Sequence, residues 1–562
     1  MLRYAIPIAI FALTALAFVP ALDGQFLNWD DDRNFLDNPG FRGLGWAQLK
    51  WMWTSALMGH YIPLTWMSLG LNYELGGMSP WGYHLGSMLI HAINAVLFFF
   101  LGRRLLAAAG VSPGTPLLWA ATFSALVFGL HPLRVESVAW ATERRDVLCG
   151  FFFLLAVLAY VRSVTPGPAA TGRFRVLSVA AFVAALLSKA QALPLPVALL
   201  ILDVYPLRRR RGLGWRVLIW EKTPWVLVSL VGAVVTLVAV KRGSGFTDYG
   251  QYGAAARIAM TGYGVMFYPW KWLWPTGLSP LYELPARVDV LAPRFVVPML
   301  VLCAVTAVLF VQRRRVPAVL AAWLYSALMV LPVVGPVHAG HQLANDRYSY
   351  LSGLGFALLA GAALGWVIHA GERGLVRPFP VRASAAGALL VLLGFGSATW
   401  VQAGGWKDSE TLWGWAVEMD PGCAACYSNL GEAIAHDRPA QAEEAFRKSL
   451  ALRDRPLTRS NLGASLELQG RLDEAEDEYR RALAGNPDLP EALANLGALQ
   501  ARRGRDAEAL PVLRRAFRVA PEFPELRANL AGVLRRRASE LAGTGRDVEA
   551  KALLDEAARV VR

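Results

Sequence analysis

Apolar runs recur along the first 400 residues, at 4–22, 86–102, 116–130, 147–161, 176–187, 191–205, 224–240, 294–312, 316–334, 349–369 and 384–402. A full crossing of a bilayer needs about 20 apolar residues, so the shorter runs extend into their flanks and about 11 transmembrane helices are expected. The first run starts after Arg3 and contains Ala15-Leu16-Ala17, as a signal peptide would. It continues through Val19 to Leu22, longer than a usual signal core, and is read as a retained helix. Residues 257–274, rich in Trp and Tyr, are assigned to the interface or to a re-entrant segment.

From residue 403 the pattern changes. The chain becomes polar, Ala- and Leu-rich and periodic. Asn461-Leu462-Gly463 recurs as Asn495-Leu496-Gly497 and as Asn529-Leu530-Ala531, each 34 residues on. Ala475, Ala482 and Pro487 follow Gly463 at the offsets at which Ala509, Ala516 and Pro521 follow Gly497. That period and small-residue pattern is the tetratricopeptide repeat, a pair of closely packed helices ended by proline. Asn429-Leu430-Gly431 opens a shortened first copy, and the last copy carries an insertion before Ala550 and Ala557. The expected fold is all-α: a polytopic membrane domain over 1–402, then an α-solenoid of about four repeats over 403–562. Such a solenoid has a concave groove suited to extended peptides or partner helices.

Composition agrees, with 55% hydrophobic and only 17% charged residues, and 20 tryptophans to anchor two interfaces. A net charge of +14 would suit nucleic acid, but the arginines fall in short clusters between apolar runs, which argues against it. With the N-terminus cytoplasmic, the inside loops begin at 103, 162, 208, 313 and 371 and hold sixteen arginines against Glu221 and Glu372. This positive-inside bias puts the first aspartate cluster and everything after residue 402 on the outer face of a multi-pass inner-membrane protein. Cys149 and Cys303 are expected to be packing residues. Cys423 and Cys426 lack the context of a zinc or redox site and are read as a helical pair, open to oxidation to a disulfide.

The outer loops carry the candidate chemistry. They contain Asp30, Asp31 and Asp32, His84, His131, Glu136, Glu143, Arg144, Arg145, Lys189, Asp346 and Arg347. Ionisable residues at a membrane boundary are costly unless paired or functional. Carboxylates opposite cations suit transfer of a group from a lipid phosphate to a hydroxyl. One carboxylate takes the acceptor proton, and Arg or Lys stabilises the departing phosphate. Each residue also has a plain structural reading: loop solvation or helix capping for the aspartates, an ion-pair cluster for 136–146, packed histidines, a snorkelling Lys189, and an Asp346–Arg347 pair. No HxxxH or HExxH spacing marks a metal site, and a divalent metal is left open.

The segments FLNWDDDRNFLDNP, YIPLTWMSLGLNYELGGMSPWGYHLGSMLIHAINA, HPLRVESVAWATERRDVL, LSKAQ, GLSPLYELP and NDRYSYLSGLG, followed by the repeats, resemble one family in that order. They look like the transmembrane and tetratricopeptide-repeat O-mannosyltransferases and their bacterial relatives, of the GT-C class of membrane glycosyltransferases. The resemblance implies a polyprenyl-phosphate-linked sugar donor, with mannose the candidate sugar, and a Ser or Thr acceptor on a protein recruited by the repeats. It implies that the first outer loop holds the catalytic base, with Asp31 favoured over Asp30, and that Arg347 faces the donor phosphate. Lys189, Arg144 and Arg145 are the further phosphate candidates. The rival expectations are a glycosyltransferase for an envelope lipid or polysaccharide, and a non-catalytic membrane-anchored repeat scaffold.

Overall fold

The computed structural model describes residues 2–165, 171–243, 252–334, 340, 342–521 and 524–561. The chain forms two compact units, Met1–Leu412 and Trp413–Arg562.

The first unit is built from helices, and their surroundings sort them. The span Ala141–Val164 has 61% of its apolar window buried in protein, whereas Pro293–Val311 and Pro378–Gly404 have 6% each. An equally apolar helix that is not buried in protein faces lipid, so Leu300, Phe310, Leu390 and Leu393, all exposed, mark the lipid-facing rim. Seven described helices are long and apolar enough to cross, or eight if Thr115–Leu130 and Pro132–Ala139, bent by 57°, form one broken span. The difference from eleven comes from length and polarity. Leu2–Ala17 has 16 residues and Leu195–Val204 has 10, or about 24 and 15 Å of rise, short of the ~30 Å hydrocarbon core. Thr171–Ser188 carries Arg173 and Arg175 in its first turns. The aromatic stretch 257–274 is one helix, Ala254–Leu273, with Pro269 inside it.

Small residues set the closest helix contact. A Cβ on Gly361 would lie 2.0 Å from Ser124 Oγ and 2.2 Å from Ala120 O, so Leu354–Glu372 lies directly on Thr115–Leu130 because glycine is there. The described strands amount to Tyr282–Glu283 paired antiparallel with Gln342–Ala344, which joins the GLSPLYELP and NDRYSY segments.

In the second unit the helices pair as hairpins: Ala424–Ile434 with Pro439–Leu452, Pro456–Leu468 with Leu472–Gly485, Pro490–Arg502 with Asp506–Val519, and Pro524–Gly543 with Asp547–Val561. Within three hairpins Gly431, Gly463 and Gly497 sit under Phe446, Tyr479 and Leu513, where a Cβ would come within 2.6–2.7 Å. Gly470, Gly504 and Gly545 make the turns of the last three, with φ of 78°, 73° and 76°. The insertion in the last copy lengthens its first helix, to 20 residues from 13 in the two copies before it. Successive repeats are tied by ion pairs: Arg471 to Glu443 at 2.6 Å, Arg503 to Glu476 at 3.1 Å and Arg536 to Asp506 at 2.8 Å. Cys423 and Cys426 form a disulfide where the first helix begins. Cys149 is buried and Cys303 is exposed on a lipid-facing helix.

Candidate active site

The first loop separates its three aspartates. Asp31 is fully buried and its carboxylate is occupied. Oδ2 accepts from the Leu27 amide at 3.0 Å, and Oδ1 accepts from the Thr142 amide at 3.1 Å and its hydroxyl at 2.5 Å. Asn34 Nδ2 in turn donates to the Thr142 hydroxyl oxygen at 3.0 Å. These bonds clamp the loop to the start of the long buried helix Arg144–Val164. Burial pushes the Asp31 carboxyl up to about 7, against the hydrogen bonds that lower it. Asp30 differs in each respect. Its backbone is left-handed at φ 66°, it is half-buried, and among the described residues its carboxylate makes no hydrogen bond or ion pair. Burial lifts it above the usual carboxylate range, while Arg145 and Arg347 nearby pull it down. Asp32 opens the π-helical turn Asp32–Leu36.

Beside Asp30 lies a buried network of charges gathered from three distant segments. Glu143 accepts from Arg145 Nη2 at 2.6 Å and from Lys189 Nζ at 2.8 Å, and Arg347 Nε is 3.1 Å away. Lys189 also reaches Asp146 Oδ1 at 2.6 Å, and Asp146 Oδ2 accepts from Ser137 at 3.0 Å. Glu136 takes the Arg347 guanidinium and, at 2.7 Å, its backbone N–H. The Arg347 guanidinium lies over the Trp140 ring, 5.3 Å from its centre. Asp346 accepts from the Tyr282 hydroxyl at 3.0 Å, and burial, with Glu136 close by, holds its carboxyl well above the usual range.

Of the sequence candidates, Asp30, Glu136, Glu143, Arg145, Lys189, Asp346 and Arg347 converge, and Asp146, read only as part of the 136–146 ion-pair cluster, joins them. Arg144 points elsewhere: its guanidinium is pinned by Ser87 Oγ at 2.9 Å, Asn72 Oδ1 at 2.8 Å and Tyr83 O at 2.5 Å. His84 is buried against Gly24, and His131 donates from Nε2 to Trp272 O at 3.0 Å while Nδ1 accepts from Leu133 N–H. Among the described residues no group of three or more His, Cys, Asp or Glu is placed to hold a metal.

Two residues outside the sequence candidates stand out. His60, with Thr142 and Arg145, lines a small recess of about 10 Å³ next to the first loop. His60 is exposed, and the protein around it, with Arg145 and Lys189 in range, pushes its imidazole below its usual value. Arg134 is buried between the rings of Phe128 and Tyr350, 5.5 and 5.6 Å from their centres. Its Nε and Nη1 have no hydrogen-bond partner among the described residues. The only signal for Arg134 in the sequence is its place in HPLRVES, and His60 has none beyond adjoining YIP.

Fold and site together define a polytopic helical membrane protein with a buried charge network and a tetratricopeptide-repeat unit. A tetratricopeptide-repeat family model matches residues 454–522. Protein O-mannosyl-transferase TMTC2 of Mus musculus is 39% identical over 103 residues, 18% of this chain and 11% of the relative. Protein O-mannosyl-transferase TMTC3 of Homo sapiens is 22% identical over 462 residues, 76% of this chain and 48% of the relative. The chain is thus related to the transmembrane and tetratricopeptide-repeat O-mannosyltransferases. It spans less than half the length of either of these relatives, from 11% to 48%. Among solved structures it is similar to ArnT from Cupriavidus metallidurans bound to undecaprenyl phosphate, with 17% identity and a TM-score of 0.34, covering 84% of this chain and 80% of that one.

Proposed function

We propose that the chain is a GT-C membrane glycosyltransferase that moves a sugar, mannose in the first instance, from a polyprenyl-phosphate donor to a Ser or Thr hydroxyl. The observation that carries this reading is Asp30: a carboxylate without a partner among the described residues, in a strained backbone conformation, beside Arg145 and Arg347. Strain of this kind persists where the surroundings hold it and concentrates at functional sites. The acceptor O–H gives its proton to Asp30 as the oxygen bonds to the anomeric carbon. The bond from that carbon to the donor phosphate oxygen breaks, and the polyprenyl phosphate leaves against Arg145, Lys189 and Arg347. These cations are paired with Glu143, Asp146 and Glu136, so the phosphate joins a network already tuned for charge. A phosphate leaves as an anion without protonation, so one base and a few cations suffice. His60, exposed at the edge of the recess, is a further candidate to bond a hydroxyl of sugar or acceptor.

In this reading Asp30 takes the role expected first of Asp31. Asp31 is fully buried and already holds Leu27 and Thr142, which favours the half-buried Asp30 as the group an acceptor hydroxyl can reach. Arg144, His84 and His131 are structural. The arginine bias puts the catalytic loop on the extracytoplasmic face, and the repeats follow the last span on that side to gather protein acceptors.

The test is transfer in proteoliposomes. Full-length protein is given a polyprenyl-phosphate-mannose and a Ser/Thr-rich envelope protein, and products are mapped by mass spectrometry. The expected product is hexose on Ser or Thr. Label appearing only in glycolipid or polysaccharide overturns the protein acceptor, and no transfer from any lipid-linked sugar overturns the activity.

A further inference from the structure

We propose that the arginine-rich end of the membrane unit binds an anionic phospholipid, with an acyl chain in an apolar cleft and the headgroup on unpaired arginines. The cleft, of about 120 Å³, lies among the helices Pro80–Ala109, Arg144–Val164, Leu195–Val204, Pro317–Val334 and Leu354–Glu372. Along the first of these it runs from Phe98 to Ala109, about 16 Å at 1.5 Å per residue. Side chains such as Leu105, Leu202 and Leu358 make it almost wholly hydrocarbon.

The end nearer the charge network is stopped by buried hydrogen bonds. His91 Nδ1 lies 2.7 Å from the Tyr350 hydroxyl, and Asn94 Nδ2 donates to that hydroxyl at 2.9 Å and to Val147 O at 2.8 Å. This plug stands between the cleft and the network, so the cleft is distinct from a path leading out of the Asp30 site. The other end reaches Ala109, Tyr205, Pro206 and Ala318. Cations gather there. Arg208 is exposed and in electrostatic range of Tyr205, Arg104 is beside Arg103 and Arg162, and Arg313 to Arg315 precede Ala318 in the chain. Among the described residues Arg103, Arg104, Arg162 and Arg208 make no hydrogen bond or ion pair, unlike Arg145, Arg209 and Arg347. Like charges side by side repel, and a phosphodiester offers the acceptor oxygens they lack. Greasy depth with a cationic rim matches an acidic lipid better than a zwitterionic one.

The test uses full-length protein in neutral detergent with equimolar phosphatidylglycerol and phosphatidylcholine of matched chains, read by native mass spectrometry. Two double variants are compared with it: Arg104→Gln with Arg208→Gln, and Ala318→Phe with Ala362→Phe. At about fivefold per arginine near a headgroup, wild type should prefer phosphatidylglycerol by roughly tenfold or more, and the Gln pair should fall toward parity. The Phe pair should lose one tightly held lipid. Equal retention of both lipids by wild type overturns the proposal. So does a preference unchanged in the Gln pair, or a polyprenyl phosphate in place of a phospholipid as the molecule the Phe pair releases. If the Phe pair does not fold, the Gln pair, whose changes lie at exposed or half-exposed positions, decides alone.

Discussion

Two buried charge clusters sit at opposite ends of one helix, Arg144–Val164, and they differ in a way that separates structure from chemistry. At its far end the Tyr160 hydroxyl is 2.7 Å from both oxygens of Asp203. Asp203 also pairs with Lys222 at 2.6 Å and Arg209 at 3.1 Å, and Arg209 with Glu221 at 2.8 Å. The groups close on one another, as a latch joining three helices needs. At the near end the network around Glu143 is equally buried, yet it keeps Asp30 unpartnered beside it and a recess lined by His60 and Arg145. Burial of charge is common to both clusters. A half-buried carboxylate with no hydrogen bond or ion pair among the described residues belongs to one.

The comparison can be broken by removing a carboxylate from the latch. Asp203→Ala leaves Lys222, 1% exposed, with only the more distant Glu221 at 3.8 Å, and losing one member of a buried pair costs about 3–5 kcal/mol. The melting temperature should fall steeply while turnover per folded molecule holds. Loss of turnover with stability intact would place catalysis at the wrong end. Asp31→Ala should act like the latch and not like its neighbour. It strips the Leu27 and Thr142 amides of their acceptor, at about 1–3 kcal/mol for each buried donor left unmade. Thermal unfolding measures it, and an unchanged midpoint would mean the loop is not clamped there.

In the repeats, where charge pairs only join neighbours, packing is the sensitive quantity. Gly497→Ala places a methyl 2.6 Å from Leu513 and should cost about 1–3 kcal/mol by overpacking. Circular dichroism of the full chain should show the loss, and a neutral outcome would mean the helices separate easily. The smallest effect is a displacement of pH dependence. Asp30 must be unprotonated to act as a base, and its carboxyl is raised. Activity is therefore lost as pH falls through that raised value and kept above it. The acid limb of kcat/KM should lie above the ordinary ~3.9 of an aspartate, and a limb at or below it contradicts the assignment.

Much of this was legible before the fold. The spacing of Asn-Leu-Gly at 34 residues anticipated the hairpins, because each glycine must lie under a side chain of the facing helix. The polar runs HPLRVESVAWATERRDV, Lys189 and NDRYSY were recognisable as ionisable residues at a membrane boundary, and they do meet. Which aspartate is free was not legible. It depends on a left-handed backbone at Asp30 and on Thr142, 111 residues from Asp31 along the chain. A lone histidine such as His60 has no pattern to mark it, and the adjacent Arg144 and Arg145 look alike in the sequence although only Arg144 bonds Ser87 and Asn72. Hydropathy counts runs and not lengths of helix, which is how a 10-residue helix at Leu195–Val204 came to be expected as a crossing.

The central claim is that Asp30, not Asp31, is the base. Its most direct measurement is single-turnover transfer by purified Asp30→Asn and Asp31→Asn proteins, with a polyprenyl-phosphate-sugar donor and matched folded concentrations. A general base contributes roughly 10²–10⁴-fold, so Asp30→Asn should fall by that factor with donor binding retained, while Asp31→Asn stays within a few-fold per folded molecule. The reverse ranking would return the role to Asp31, and near-normal transfer by both would move the base out of the first loop, to Glu136 or Glu143.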